Sequence, residues 1–183
     1  MTFANQRFFD RAGERLVAQG FDWKDDLRAQ AGLPRNGQNG GIDNPQEVRL
    51  KSGTILVRFG GGAFPFFSLN SGWWLTLDEY LKVQGFADQK GISIPEAVRR
   101  TCCVPPEWSQ MDVRYQAQLQ QPLLAYAGLG RPAQTNAAVW ARELDVTQLY
   151  IPGMTSGDVV RDSMVWKHNS LPTEVLYRVT SRP

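Results

Sequence analysis

The chain has 183 residues, of which 42% are hydrophobic and 21% are charged, and its formal net charge is +2. These values are typical of one globular domain with its own core, and they exclude a largely disordered chain. The lysines and arginines are scattered, so the charge pattern does not favour a nucleic-acid-binding protein, and no apolar run is long enough to span a membrane.

The cysteines and the N-terminal residues bear on the compartment. Cys102 and Cys103 are adjacent, and adjacent residues rarely reach disulfide geometry. Together with a single histidine they cannot form a zinc site, so we expect no metal. The N-terminus lacks the basic start and continuous apolar segment of a secretory signal. We therefore expect a cytoplasmic site of action, although an effector fragment delivered by secretion would show the same features.

The first residues predict helices followed by a loop. Apolar residues at helical spacing predict a helix over Ala4–Gln19. Asp22 can cap a second short helix, and Asn-Gly and Asn-Pro pairs predict a loop over Arg35–Gln46. We interpret residues 1–46 as a helical lobe with its loop and residues 47–183 as an α+β core, the two forming one compact domain.

Strands and helices follow in the first part of this core. Two strand-like runs, VRL and TILVRF, surround a Lys-Ser-Gly turn, and Arg58 lies near the end of the second run. Thr76 and Glu79 form a capping box that predicts the start of a helix, and Ser93 and Glu96 form another.

The second part of the core predicts mainly strands. Apolar and polar residues alternate from Val113 to Gln120, as in a half-buried strand. Further strands are predicted at Val146–Pro152 and Thr173–Val179. The predicted fold class is therefore α+β, with N-terminal helices followed by a mostly antiparallel sheet.

Several common catalytic systems do not match this sequence. The glycine triplet Gly60–Gly62 lacks the Lys-Ser or Lys-Thr pair of a phosphate-binding P-loop. His168 is the single candidate base for a serine or cysteine nucleophile, and no G-x-S-x-G elbow lies near it. A solvated or locally bonded histidine is the favoured interpretation.

Three short segments form the remaining candidate site: Arg58 on its strand, the turn SGWWLT, and Gln148 in TQLYIPG. Their order resembles the ADP-ribosyltransferase superfamily and its NAD-hydrolysing relatives, which include many bacterial toxin domains. SGTILVRFGG is similar to the arginine strand of tuberculosis necrotizing toxin-type NAD glycohydrolases, and TQLYIPG is similar to the strand that supplies their glutamine. The resemblance covers about Lys51 to Pro152. It implies an ADP-ribosyltransferase-like split β-sheet and NAD as the substrate.

The resemblance also implies a role for each residue. Arg58 would hold phosphate or ribose through its planar guanidinium, and Gln148 would hydrogen-bond the ribose hydroxyls. Phe67, Trp73 or Trp74 would stack on the cationic nicotinamide ring. Ser71 or Thr76 would steady the turn. Because the leaving group is already cationic, positioning and electrostatics would supply the catalysis without a general acid.

The late strand departs from the usual family pattern, in which a glutamate occupies the position of Gln148. A neutral amide can position ribose but adds no negative charge, which favours hydrolysis over protein modification. Glu143 could supply the missing charge if a bend brings it close. Glu174 in TEVLYRV also matches the late-strand pattern and is the second candidate for the key residue.

Other interpretations remain open. Arg58 can pair with a carboxylate on a sheet face, Trp73 and Trp74 can belong to the core, and Thr76 can act only as a helix cap. The leading hypothesis is an NAD glycohydrolase or ADP-ribosyltransferase, with a protein or nucleic-acid acceptor and a cognate immunity protein as further partners. The alternatives are a non-catalytic protein-binding module (an immunity, adaptor or phage-type interaction protein) anchored by exposed aromatics, and a nucleic-acid-modifying enzyme.

Overall fold

The computed structural model describes residues 2–22, 38–61, 69–155, 158 and 170–182. Three predictions lie outside these residues: the helix that follows Asp22, the role of Phe67, and the environment of His168.

The described residues form an α+β fold, which confirms the predicted class. The helices are α1 (Gln6–Phe9), α2 (Glu14–Ala18), α3 (Leu77–Lys90), α4 (Ile94–Cys102) and α5 (Leu171–Val175). The strands are β1 (Ile42–Leu50), β2 (Ile55–Gly60), β3 (Trp73–Thr76), β4 (Val113–Leu119), β5 (Leu123–Gly130), β6 (Ala133–Gln134), β7 (Val139–Trp140), β8 (Thr147–Tyr150) and β9 (Leu176–Arg182).

Seven strands form one sheet in the order β1-β5-β8-β3-β2-β4-β9. Every neighbouring pair is antiparallel, as predicted. The short strand β3 joins the two halves of the sheet. Its first two residues pair with β8 and its last two pair with β2. The first two residues of β3 are therefore not paired with β2, and its last two are not paired with β8, so the sheet is open at both places.

Helices α3 and α4 cover one face of β2 and β3. The buried residues of α3 recur at helical spacing, and they share a cluster with Val57 of β2 and Leu75 of β3. Both predicted N-caps are confirmed at these helices, although among the described residues neither glutamate side chain accepts a hydrogen bond from the N-cap amide, so only half of each capping box is present there. The Thr76 hydroxyl accepts a hydrogen bond from the Glu79 amide at 3.3 Å, and the Ser93 hydroxyl accepts one from the Glu96 amide at 3.3 Å.

The single helix predicted over Ala4–Gln19 is wrong, because the chain forms two short helices there. Gly13 between them adopts a left-handed conformation with φ of 85°, which breaks the helical repeat. The buried Asn5 side chain fixes this segment to the sheet: its amide nitrogen donates to the carbonyls of Leu124 and Pro152, and its oxygen accepts from the Leu124 amide.

The loop predicted over Arg35–Gln46 ends earlier than expected, because β1 begins at Ile42 and pairs with β5. Strand β5 itself was not predicted. Its residues are mostly apolar without alternation, since both of its faces are buried: Leu123, Ala125 and Ala127 pack in one cluster, and Leu124 and Tyr126 pack in another. Its glycines suggested a loop, but they allow close packing: a Cβ at Gly128 would lie 2.5 Å from Ile42.

The strand predicted over Thr173–Val179 is wrong in its first part. Residues Leu171–Val175 form helix α5, with Pro172 in its first turn, and the strand begins at Leu176. Proline fits the first turn of a helix because its missing amide hydrogen has no partner to lose there. Glu174 is consequently an exposed helical residue rather than a strand residue.

Candidate functional site

A cavity of about 740 Å³ opens beside β3, bordered by β2, the end of α4 and the loop that follows α4. Five of the residues predicted from the sequence line it together: Arg58, Ser71, Trp73, Trp74 and Gln148. The cavity has the size of a small-molecule site. Among the described residues of its wall, Arg58 is the only basic side chain and Asp22 the only acidic one.

Arg58 has buried hydrogen-bond donors that lack acceptors in the described part of the chain. Its guanidinium carbon lies 5.6 Å from the centre of the Trp74 ring, and its Nη2 donates to the Phe59 carbonyl at 3.3 Å. Within the described part of the chain, its buried Nε and Nη1 have no hydrogen-bond acceptor. Burial lowers the pKa of Arg58 to about 10, against a smaller raising effect of Tyr115, so the side chain stays charged at neutral pH.

Such an arrangement is costly unless a ligand completes it. An unsatisfied buried donor costs roughly 1–3 kcal/mol, and more when it is charged. An anion bound in the cavity would satisfy the Arg58 donors and offset the desolvation of the charge.

The SGWW turn is rigid. The Ser71 hydroxyl accepts from the Trp73 amide at 3.2 Å, and the Trp74 indole nitrogen donates to the Ser71 carbonyl at 2.7 Å. Gly72 is required by packing, since a Cβ there would lie 2.7 Å from the ring of Tyr150. Trp74 is 2% exposed and belongs to the core, whereas Trp73 is only partly buried and packs against Tyr150 with ring centres 5.0 Å apart.

Gln148 is held by the end of α4. The side chain is 7% exposed, and its Nε2 donates to the Cys102 carbonyl at 3.0 Å. The absence of a side chain at Gly130 makes room for it, because a Cβ there would lie 2.5 Å from Nε2. The Oε1 atom accepts no hydrogen bond from any described residue. Strand alternation places Gln148 on the Val57 face of the sheet and Arg58 on the opposite face, and residues of both faces line the cavity.

Three predicted residues lie outside the described cavity wall. Thr76 caps α3. Glu143 lies 3.6 Å from Arg100 with a side chain that is 44% exposed. Glu174 is on α5, and neither glutamate lines the described part of the cavity with Gln148.

Two carboxylates near the site were not singled out by the sequence. Asp22 lines the cavity, although its position suggested only a helix cap. The Glu79 carboxylate accepts a hydrogen bond from the Thr147 amide at 2.8 Å at the start of β8. In the sequence, Glu79 is recognised only as part of a capping box, and in the structure it lies outside the described cavity wall. No sequence signal distinguishes either residue from a structural one.

The two cysteines also line the cavity, and both are free and buried. Burial raises the pKa of Cys102 to about 12 and the pKa of Cys103 to about 11. Because the thiolate is the reactive form, both thiols are poor nucleophiles at neutral pH. They contribute to the apolar part of the wall.

The described residues contain no cluster of histidine, cysteine, aspartate and glutamate side chains that could hold a metal ion. In the same residues, no helix has the length and apolar character needed to cross a membrane.

Comparisons with known proteins add little to this geometry. No family model matches the chain, and no curated protein matches it. Among solved structures, the chain is similar to Rhs1-CT in complex with the cognate immunity protein RhsI1. The TM-score is 0.43 at 15% sequence identity, over 72% of this chain and 86% of that chain. A TM-score at this level carries no conclusion about family or function, which have to be inferred from the cavity itself.

Proposed function

We propose that this protein is an NAD-consuming enzyme, an NAD glycohydrolase or an ADP-ribosyltransferase, that cleaves the nicotinamide–ribose bond in this cavity. The observation that carries the proposal is the buried Arg58 guanidinium, two of whose nitrogens have no acceptor among the described residues, in a wall shared with Trp73 and Gln148.

Arg58 binds the pyrophosphate of NAD in this proposal. The planar fork of an arginine matches phosphate oxygens, and charge-assisted hydrogen bonds are strong where water is excluded. Tyr115 lies opposite Arg58 on β4 and donates to the Gly61 carbonyl at 3.4 Å. This bond holds the end of β2 beside the cavity.

Trp73 is the better candidate to stack on nicotinamide. It keeps accessible surface at the cavity, whereas Trp74 is buried beneath Arg58 and bonded to Ser71. A positively charged pyridinium ring binds favourably over the face of an indole.

The reaction breaks the bond between the ribose C1 and the pyridinium nitrogen. Nicotinamide leaves with the bonding electron pair as a neutral molecule, and the ribose carries the positive charge. A water molecule then adds at C1 and loses a proton, which yields ADP-ribose; in a transferase, a nucleophile of a protein or nucleic acid takes the place of water.

Gln148 positions the ribose through its Oε1, which accepts no hydrogen bond from a described residue. Its Nε2 donates to the Cys102 carbonyl, which an ionised glutamate at this position could not do. The negative charge that Gln148 lacks is assigned to Asp22, since Glu143 lies away from the described wall.

The direct test follows nicotinamide release from NAD by the purified protein, with and without cell extract as a source of acceptors. Release without extract supports hydrolysis, and release only with extract supports transfer. Absence of release under both conditions, from a protein with a cooperative unfolding transition, contradicts the proposal.

The protein-binding alternative receives no support from Trp74. An interface anchor has to be accessible, and Trp74 is 2% exposed with its indole nitrogen bonded inside the protein. A cognate immunity protein is compatible with the enzymatic proposal as a partner that covers the cavity mouth.

A further inference from the structure

Trp108 is a second aromatic residue of the cavity wall and differs from the tryptophans of β3. It lies in the loop between α4 and β4 and is 49% exposed. Of the exposed large apolar residues in the described part of the chain, it alone lines the cavity. It therefore presents a flat apolar surface at the cavity mouth.

The loop around Trp108 is fixed by buried contacts. The Trp108 amide donates to the Pro105 carbonyl at 3.0 Å. The Nη2 of Arg99, which is 8% exposed, donates to the carbonyls of Ser109 at 2.7 Å and Gln110 at 3.0 Å. These bonds set the backbone on both sides of the indole.

The outer edge of the indole ring rests on Gly40. A Cβ at Gly40 would lie 2.9 Å from Cη2 and 3.0 Å from Cζ3 of Trp108, and Gly40 adopts a φ of 64°. The ring is thus supported at one edge while about half of the side chain stays accessible, so binding a ligand there costs little ordering of the protein.

Other stretches of the cavity wall, beside Arg58 and beside Gln148, are less exposed than Trp108. Gln148 is 7% exposed, and the two Arg58 nitrogens that have no acceptor among the described residues are fully buried. The reacting ribose and the pyrophosphate belong there in the proposed function. The part of the dinucleotide at the cavity mouth is then its outer base, which is the base farther from the nicotinamide–ribose bond.

We infer that Trp108 stacks on the outer base of a dinucleotide substrate and sets a preference for dinucleotides over mononucleotides. This inference rests on the proposed function. Stacking of one base on an aromatic side chain corresponds to about 5-fold to about 150-fold in affinity, and it does not depend on the identity of the base.

The test is a calorimetric titration with ADP-ribose, which carries the outer base and the pyrophosphate but no nicotinamide. It is applied to the unchanged protein, to Trp108→Ala and Trp108→Phe, and to Leu81→Ala as an exposed apolar control on α3. We expect roughly ten-fold weaker binding for Trp108→Ala, most of the affinity retained in Trp108→Phe, and no change in Leu81→Ala. Thermal unfolding of each variant establishes that it is folded.

A parallel measurement of nicotinamide release separates this inference from the proposed function. Trp108→Ala should raise KM for NAD with little change in kcat, and leave KM for nicotinamide mononucleotide unchanged. Equal effects on both substrates, ADP-ribose binding that is insensitive to Trp108, or no ADP-ribose binding to the unchanged protein would overturn the inference. Trp108-dependent binding of ADP-ribose without nicotinamide release would support the base-stacking surface and reject the enzyme.

Discussion

The two ends of β3 differ sharply although the strand is only four residues long. At its C-terminal end, Thr76 caps α3 and Leu75 packs beneath the helices. At its N-terminal end, Trp73 and Trp74 border a cavity in which Arg58 keeps two buried donors without a described acceptor. Unsatisfied buried donors reduce stability. The first end therefore serves folding, and the second retains donors that a bound anion would satisfy.

The largest effect is expected at Arg58, beside the N-terminal end of β3. Arg58→Met should lower kcat/KM for NAD at least about 30-fold, because the substrate loses a buried charge-assisted contact. The free energy of unfolding should stay the same or rise, since an unpaired buried charge is removed. Nicotinamide release and urea unfolding measure the two quantities. Arg100→Met on α4 is the matched control, because Arg100 pairs with Glu96 and Glu143 away from the described wall. If Arg58→Met were destabilised and fully active, Arg58 would have a structural role and would not bind the substrate.

The second-largest effect is expected at Gln148, which lines the cavity and is also bonded to the end of α4. Gln148→Glu should lower the free energy of unfolding by about 2–3 kcal/mol at neutral pH, because a carboxylate faces the Cys102 carbonyl without a donor. The loss should shrink near pH 4, where a protonated carboxyl can donate again. Urea unfolding at both pH values checks this, with Gln148→Met as the control that lacks the charge. Stability that is unchanged at neutral pH would show that the bond to Cys102 is dispensable.

A substitution at the C-terminal end of β3 should lower stability without changing activity. Thr76→Ala should cost about 1 kcal/mol of stability through loss of the α3 cap, with kcat/KM unchanged. Ser93→Ala at α4 removes the equivalent cap and should cost a similar amount. Loss of activity in Thr76→Ala at a temperature where the variant is fully folded would place Thr76 in the site.

The smallest effect is a pH dependence. Burial raises the pKa of Cys102 from 9.0 to about 12 in the folded state. A raised pKa gives stability that is present below the unfolded pKa and is lost as pH rises above it. Between pH 8 and pH 9.5 this thiol should contribute a loss of about 0.8 kcal/mol. Cys102→Ala should show a correspondingly flatter decline in urea unfolding over that range, and an identical slope would mean that the thiol is accessible.

Local signals in the sequence were sufficient for much of the fold. The capping residues Thr76 and Ser93 and the alternation in β4 depend on neighbouring residues, and each matches the structure. Strand β5 was not predicted, because its two faces pack in separate clusters with residues that are distant in sequence, such as Leu56 and Phe9. Glu174 was placed on a strand because its apolar neighbours alternate, whereas Pro172 favours the helix.

The site was predictable only in part. The order of Arg58, the SGWW turn and Gln148 led to five residues that do share one cavity. Asp22 and Trp108 could not be found this way, because they approach the cavity from other elements and carry no local motif. The bond from Gln148 to Cys102 joins residues that are 46 positions apart, so the reason for an amide at that position is visible only in the fold.

The most direct measurement of the central claim is a crystal structure of the protein with ADP-ribose bound. The account predicts the pyrophosphate beside Arg58, with Nε and Nη1 about 3 Å from its oxygens. ADP-ribose bound elsewhere, or a cavity in which these two nitrogens remain unpaired beside the ligand, would contradict it.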